Sequence, residues 1–336
     1  MQYLPNPQRY MNMPYNYCGN SGLMLPAISL GLWQNFGTHS DPETCRRILT
    51  TAFDHGVTHF DLANNYGPLP GAAESCFGRV LHDTFGYLRD EMIVSTKAGY
   101  TMWDGPYGDW GSKKYLIASL DQSLRRMGLE YVDIFYHHRP DPNTPLEEVA
   151  HTLDLIVRQG KALYVGISNY PADRTEQIYE LLRAQGTPFI VHQARYNMLD
   201  RAIERGEPSL CDVLDADGIG CVAFSPLAQG ILAGRYRDGI PADSRRAKSH
   251  TISDKLFHAA NLERVTELSR IAAERGQTMA QMAIAWIMHN PVVTSVLIGA
   301  SDCRQLLENL HAIENTDFDL QELDAIERIL SGDYEN

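Results

Sequence analysis

Val57-Thr58-His59-Phe60-Asp61-Leu62-Ala63-Asn64-Asn65-Tyr66-Gly67 is the stretch on which the reading of the chain turns. Its first four residues are β-branched and aromatic, as in a strand, and a Gly/Pro-rich loop follows. A carboxylate therefore stands at the C-terminal end of a strand, with a phenol five residues beyond it. Met92-Ile93-Val94-Ser95-Thr96-Lys97 and Val132-Asp133-Ile134-Phe135-Tyr136-His137-His138 end in the same way, on a lysine and on a histidine pair. In a parallel barrel those strand ends share one rim, where that architecture keeps its chemistry.

Outward from this stretch the pattern repeats. Short apolar runs occur at 28–31, 57–61, 92–97, 132–138, 163–168, 189–194, 220–225 and 293–298, separated by segments with apolar residues at helical spacing. Asp41-Pro42-Glu43 supplies a cap and an N1 proline ahead of Ile48, Leu49, Ala52 and Phe53. Ser112 opens a helix carrying Leu116, Leu120, Leu124 and Met127, which Gly128 stops. Thr144-Pro145-Leu146-Glu147 is a capping pattern before Val149, Leu153, Ile156 and Val157, with Gly160 as the stop. Segments 172–185, 209–217 and 304–313 continue the alternation. Two helical segments, about 259–275 and 278–290, follow the seventh strand, and one at about 320–331 ends the chain.

Eight strands alternating with helices predict an α/β fold, a (β/α)8 TIM barrel with extra helices after strand 7 and at the C-terminus. A doubly wound sheet is the alternative, but Gly31-Leu32-Trp33-Gln34 after the first strand lacks the G-x-G-x-x-G fingerprint. Tyr15 to Cys18 and Leu23 to Pro26 predict an N-terminal β-hairpin across Gly19-Asn20-Ser21-Gly22, preceded by an arm at 1–12. With no repeat or linker, 1–336 is expected to form a single domain. Two loops exceed what a connection needs. Ala98 to Gly111, with Tyr100, Trp103, Tyr107 and Trp110, predicts an aromatic pocket wall. Ala228 to Ser253, with Arg235, Arg237, Arg245, Arg246 and Lys248, predicts a basic flap.

Bulk properties narrow the function. A net charge of −13 argues against nucleic acid or an anionic membrane as partner. No apolar run approaches the roughly 20 residues of a membrane span. The N-terminal Met1-Gln2-Tyr3-Leu4-Pro5-Asn6 shows no secretory signal, so a cytoplasmic location is expected. Six scattered cysteines have neither C-x-x-C nor metal-ligand spacing, so no metal is expected and most should be small buried hydrophobes.

The rim residues suit proton transfer to a carbonyl. A tyrosine is a weak acid, with a reference pKa near 10. Lys97 is expected to lower that value, with Asp61 holding Lys97 protonated and His138 hydrogen-bonding the same substrate oxygen. Such a group protonates a carbonyl oxygen while hydride reaches carbon, or runs the reverse. With no strong nucleophile and no metal set, hydride exchange with a nicotinamide cofactor is the matching reaction.

Asp61, Tyr66, Lys97 and His138 resemble the catalytic tetrad of the aldo-keto reductases, and about 14–330 carries that superfamily's landmarks in order. The resemblance implies that Ser168 and Asn169, in Gly166-Ile167-Ser168-Asn169-Tyr170, hold the nicotinamide carboxamide, with Gln193 as a third ligand. It implies that Phe224, in Phe224-Ser225-Pro226-Leu227, stacks on the nicotinamide, and that the backbone from Ser225 through Leu227, Gln229 and Gly230 meets the pyrophosphate. Gly299-Ala300-Ser301, then Gln305, Glu308 and Asn309, resembles the adenine and 2′-phosphate clamp, with Arg235 and Arg245 closing over the phosphates. Trp33, just past the first strand, is expected to wall the cofactor and substrate pocket, with Tyr66, Trp103, His138 and Arg139 as further substrate contacts. The family's histidine precedes a short segment ending in proline, here His138-Arg139-Pro140, so His138 is selected over His137. Strand alternation agrees that only one of two neighbours faces the axis.

Two narrower resemblances follow. Ala63 to Pro68 and Lys97 to Gly108 are similar to the bacterial L-glyceraldehyde 3-phosphate reductase group, which implies NADPH as cofactor and small aldehydes, including methylglyoxal, as substrates. Arg139 to Pro145 is similar to the β subunits of voltage-gated potassium channels, which usually carry Asn where this chain has His138. Gly299 stands where the better-known clamp has a basic residue, and Arg235 and Arg245 are expected to compensate from the flap. The resulting expectation is an NADPH-dependent reductase of small aldehydes with Tyr66 as general acid, self-associating as a tetramer or octamer. The alternative is a nicotinamide-cofactor-binding regulatory subunit with weak reductase activity.

Overall fold

The Asn20-Ser21-Gly22 turn brings β1 (Tyr15–Tyr17) back antiparallel to β2 (Met24–Pro26), which forms the expected hairpin. Then come eight short runs that are almost wholly buried, as strands covered on both faces must be. In the computed structural model, which describes residues 3–37, 40–187, 189–234 and 257–332, these are β3 (Ile28–Gly31), β4 (His59–Asp61), β5 (Ile93–Ala98), β6 (Val132–His137), β7 (Ala162–Ser168), β8 (Phe189–Arg195), β9 (Gly220–Phe224) and β10 (Val293–Ile298). Each pairs parallel with its neighbours, and β10 closes on β3 to complete a (β/α)8 barrel.

Around it lie α1 (Pro42–Asp54), α2 (Ala72–Val80), α3 (Lys113–Met127), α4 (Leu146–Arg158), α5 (Ala172–Ala184), α6 (Leu210–Asp217), α7 (Ala259–Glu274), α8 (Met279–Met288), α9 (Cys303–Leu310) and α10 (Leu320–Ser331). Two caps match expectation: Asp41 accepts from Thr44 N with Pro42 at the first turn, and Ser112 accepts from Tyr115 N. A third does not. α4 starts after Pro145 without a side-chain cap, because the Thr144 hydroxyl donates 2.6 Å to Asp141 instead. Asp141 also accepts from Gly111 N and Asn143 N, so it organises the loop after β6 rather than leaving Thr144 to the helix.

The hairpin covers one end of the barrel. Cys18 and Leu25 are fully buried and join Ile134, Tyr136, Ile190, Val191, Val222 and Leu297 inside the barrel. Asn16 Nδ2 donates 2.9 Å to Thr294 O and Cys18 Sγ donates 3.3 Å to Ile190 O, both at strand beginnings. The N-terminal mouth is thus plugged, and the rim carrying Asp61, Lys97 and His138 lies at the opposite end. Interior volume is tight: a Cβ on Gly166 would sit 2.7 Å from the Tyr136 ring and from Val191, so only glycine fits there. All six cysteines are free, with Cys18, Cys45, Cys76 and Cys221 buried. Among the described residues no helix is long and apolar enough to cross a membrane.

α2 is fastened by charge. Glu74 is fully buried; it accepts 2.6 Å from Thr96 Oγ1 on β5 and 2.7 Å from Arg126 Nε on α3. Arg126→Ala leaves that carboxylate without its countercharge, and we expect a loss of about 3 kcal/mol in urea unfolding. A loss below about 1 kcal/mol, typical of an exposed pair, would contradict that role.

Candidate active site

Side chains alternate along a strand, so His59 and Asp61 on β4 share one face, as do Ser95 and Lys97 on β5. Asp61 pairs in register with Ser95, which brings the carboxylate beside the ammonium two residues on. Both are fully buried. Lys97 Nζ donates 2.5 Å to Asp61 Oδ2, 2.7 Å to Leu62 O and 3.3 Å to Tyr66 Oη. All three ammonium hydrogens are thereby accepted, which holds the lysine in its charged form.

Tyr66 reaches this point by a tight turn, with Tyr66 N donating to Ala63 O and Gly67 N to Trp33 O. Gly67 has φ of 101°, and a Cβ there would press on Ala72 and Ala73, so glycine is required. The Tyr66 oxygen accepts from Lys97, which leaves its own O–H to point elsewhere. The His138 ring stands edge-on to Tyr66 at 5.8 Å and to Tyr100 at 4.7 Å between centroids. His137 turns the other way, with Nδ1 2.6 Å from the Tyr170 hydroxyl.

The electrostatics correct one expectation. Tyr66 is held well above the usual tyrosine pKa, first by burial and then by the Asp61 carboxylate, not lowered by Lys97. The reason is compensation: a carboxylate 2.5 Å from the ammonium cancels much of its field, while desolvation still opposes a phenolate. The phenol therefore rests protonated. Burial also lowers the pKa of Lys97, against Asp61 and Glu74. His138 lies well below the usual histidine value through burial and the Lys97 charge, so its imidazole is neutral.

The aromatic loop is clamped onto this site. Arg139 lies between the Trp110 ring at 3.7 Å and the Tyr100 ring at 4.3 Å. Its Nε donates 2.6 Å to Gly99 O and its terminal nitrogen 2.7 Å to Asp109. The guanidinium thus staples the loop to the end of β6, with its charge already paired. Trp103 packs on Tyr115 at 5.4 Å, and Asn64 Nδ2 donates 3.0 Å to the Tyr115 hydroxyl. Trp33 is 39% exposed at the rim.

The ends of β7 to β10 carry the expected cofactor residues. Asn169, with φ of 61°, donates 3.0 Å from Nδ2 to His138 O and to Ser168 Oγ, leaving its side-chain carbonyl to accept. Gln193 Nε2 donates 3.1 Å to Asp61 Oδ1, which ties this group directly to the tetrad. Phe224 is half-buried, with the Arg195 guanidinium 5.8 Å from its ring. Beyond it Ser225, Ala228, Gln229 and Gly230 have φ of 57°, 45°, 61° and 96°. These left-handed residues fold the chain sharply past the end of β9, where Ala228 N donates to Ser225 O. The Leu227 carbonyl closes that turn by accepting from Gly230 N and Leu232 N.

On α9, Asn309 is buried and its Nδ2 has no hydrogen-bond partner. Gln305 Oε1 accepts from Ser301 N and Ser301 Oγ, while Glu308 is half-buried and its backbone carbonyl accepts from Gln281. Nothing packs against the Cβ direction of Gly299; the nearest atom, Gly31 O, is 4.0 Å away. The unpartnered buried amide of Asn309 and the Asn169 side-chain carbonyl left to accept fit a polar cofactor such as a nicotinamide dinucleotide. Arg235 and Arg245 lie outside the described residues.

Sequence reading passed over His59 and Ser95, which lie on the barrel-facing side two residues before Asp61 and Lys97. The signal was present in the alternation. Burial pushes His59, His137 and His192 down to about 4 from 6.5. The unfolded chain therefore binds those protons first, so their stability contribution is complete above pH 6.5 and is lost as pH falls toward 4. Each is worth on the order of 3 kcal/mol over that window. Circular dichroism should show acid unfolding beginning there, and stability that stayed flat down to pH 4 would contradict buried neutral histidines.

Comparison with known proteins agrees with this geometry. The model of the aldo/keto reductase family matches residues 27–331. The chain is 55% identical over 332 residues to L-glyceraldehyde 3-phosphate reductase of Escherichia coli (strain K12), covering 98% of this chain and 95% of that one. It is 35% identical over 314 residues to a candidate voltage-gated potassium channel subunit beta of Schizosaccharomyces pombe, covering 91% of this chain and 90% of that one.

Proposed function

The chain belongs to the aldo/keto reductase family, and from that premise we propose that it reduces small aldehydes with NADPH. L-glyceraldehyde 3-phosphate is the leading substrate, supported by the 55% identity to a reductase of that name, with methylglyoxal as a smaller alternative. The observation that carries this reading is the Tyr66 hydroxyl, which accepts from Lys97 at 3.3 Å and so has its own proton free for a substrate oxygen.

Bound NADPH supplies the hydride. Tyr66 hands its proton to the substrate oxygen, and the Lys97 ammonium stabilises the phenolate that this leaves. Asp61 keeps Lys97 charged and in place. The neutral His138 imidazole orients the carbonyl, with Trp33 and Trp103 walling the pocket. Ser168, Asn169 and Gln193 would hold the carboxamide, Phe224 would pack on the nicotinamide, and the turn from Ser225 through Leu227 and Gln229 to Gly230 would take the pyrophosphate. Ser301, Gln305, Glu308 and Asn309 take the adenosine end, with Gly299 leaving room for it.

A regulatory cofactor-binding subunit is the second reading, supported by the 35% identity to a channel subunit beta candidate. An intact tetrad that includes His138 favours the enzyme. Cofactor choice is tested by titrating NADPH and NADH into the protein and into Arg235→Ala and Arg245→Ala. NADPH is expected to weaken more than NADH; equal weakening of both would remove these arginines from the 2′-phosphate.

A further inference from the structure

Beneath the Asp61–Lys97 pair the barrel holds polar side chains that the proposed reaction does not use. Ser295 on β10, Ser29 on β3, His59 on β4 and Ser95 on β5 are at most 1% exposed. They form a continuous chain. Ser295 Oγ lies 2.6 Å from Ser29 Oγ, and Ser29 Oγ 2.9 Å from His59 Nδ1. His59 Nε2 lies 2.9 Å from Ser95 Oγ, and Ser95 Oγ 2.7 Å from Asp61 Oδ1.

The chemistry of the members fixes its direction. Asp61, paired with an ammonium, is an ionised carboxylate and can only accept. The single Ser95 hydroxyl proton therefore goes to Asp61, so Ser95 must accept from His59, whose Nε2 carries hydrogen. The imidazole is neutral in this buried setting, so its Nδ1 is bare and accepts from Ser29. Ser29 has then spent its proton and accepts from Ser295. Every hydrogen in the chain points toward Asp61. The charged groups that His59 feels are Asp61 and Lys97, and Ser295 at the far end is 1% exposed.

We propose that His59 is a positioning residue for the proton-donating group, acting through Ser95 on Asp61 and thereby on the placing of Lys97 against Tyr66. The role rests on the function proposed above. His59 is the one member that accepts and donates through two separate ring atoms, Nδ1 toward Ser29 and Nε2 toward Ser95; without its Nε2 hydrogen nothing fixes the sense of the Ser95 hydroxyl. Asp61 then loses a charge-assisted hydrogen bond from one oxygen. The Lys97–Tyr66 contact, already long at 3.3 Å, is the element most sensitive to a shift of that carboxylate.

The test has two arms. In the first, ¹⁵N-histidine spectra of the unmodified protein at neutral pH read the tautomer of His59 directly, whatever the activity. A neutral ring protonated at Nε2 is expected; an Nδ1-protonated ring or an imidazolium would overturn the assignment. In the second, preformed NADPH complexes are mixed with methylglyoxal and the single-turnover rate is followed. His59→Leu and Ser95→Ala are each expected to slow it by about 100-fold with KM for the aldehyde little changed, as a small misplacement of a reacting group does. The double variant should be no slower than the slower single one, because both act along one path. His59→Gln, which keeps an amide donor toward Ser95, should recover much of the rate. Losses that multiply in the double variant, or a lowered melting temperature with single-turnover rates intact, would overturn the role. A wild-type protein that oxidises no NADPH would defeat the proposed function instead, and the tautomer would still decide the chain.

Discussion

Tyr66→Phe is expected to remove turnover almost completely while leaving the cofactor bound. The substitution keeps the ring that packs on His138 and lies 4.8 Å from the Lys97 ammonium, and takes away only the hydroxyl. General acid catalysis is worth about 100- to 10,000-fold, and kcat should fall by about that amount. Because no predicted cofactor contact other than the pocket wall is touched, NADPH affinity should stay within a few-fold. A kcat within tenfold of wild type would move the proton donor elsewhere, with His138 next in line. Lost NADPH binding with normal turnover per bound cofactor would make Tyr66 a binding residue.

Lys97→Met should have the second large effect, on stability as well as on rate. It deletes three hydrogen bonds and leaves Asp61 as an unpaired carboxylate in a fully buried site. Stranding a buried charge in this way costs about 3–5 kcal/mol. The phenolate of Tyr66 also loses the ammonium that donates to its oxygen, so the proton is harder to give up and turnover should fall by about 100-fold or more. Adding Asp61→Asn to Lys97→Met removes the stranded charge. The double variant should regain much of the stability and none of the rate. If Lys97→Met unfolds in urea like wild type, the ammonium is not compensating a buried carboxylate.

What could be read from the sequence, and what could not, follows from the range of the interactions involved. The barrel strands were legible because strands covered on both faces are continuous apolar runs, and the polar residues that end them stand out against that background. Asp61, Lys97 and His138 were visible for this reason, and Tyr66 by its fixed distance from Asp61. α2 was never delimited, because it starts from Gly71 in a left-handed conformation with no side-chain cap and runs into a π turn at Leu81–Phe85 and a 3-10 segment at Gly86–Glu91. Neither end carries a conventional signal.

Thr144 matched a capping pattern locally, but Asp141 competes for its hydroxyl, and only the folded loop shows which partner wins. The direction of the Tyr66 pKa was beyond the sequence as well. It depends on desolvation set against a Lys97 charge that Asp61 has largely cancelled, and both are tertiary properties. His59 and Ser95 fell between these cases. Alternation placed them on the correct face, but their link appears only once the register of β4 against β5 is known. Arg139 was expected to touch substrate, and the fold sets it between Tyr100 and Trp110 with Asp109 as its partner.

The most direct test of the central claim is the initial rate of NADPH oxidation with L-glyceraldehyde 3-phosphate, measured beside methylglyoxal and repeated with Tyr66→Phe. Rapid oxidation with the phosphorylated triose, lost in the variant, is the predicted result. Tight NADPH binding with slow oxidation by every aldehyde would contradict it and leave the regulatory-subunit reading in its place.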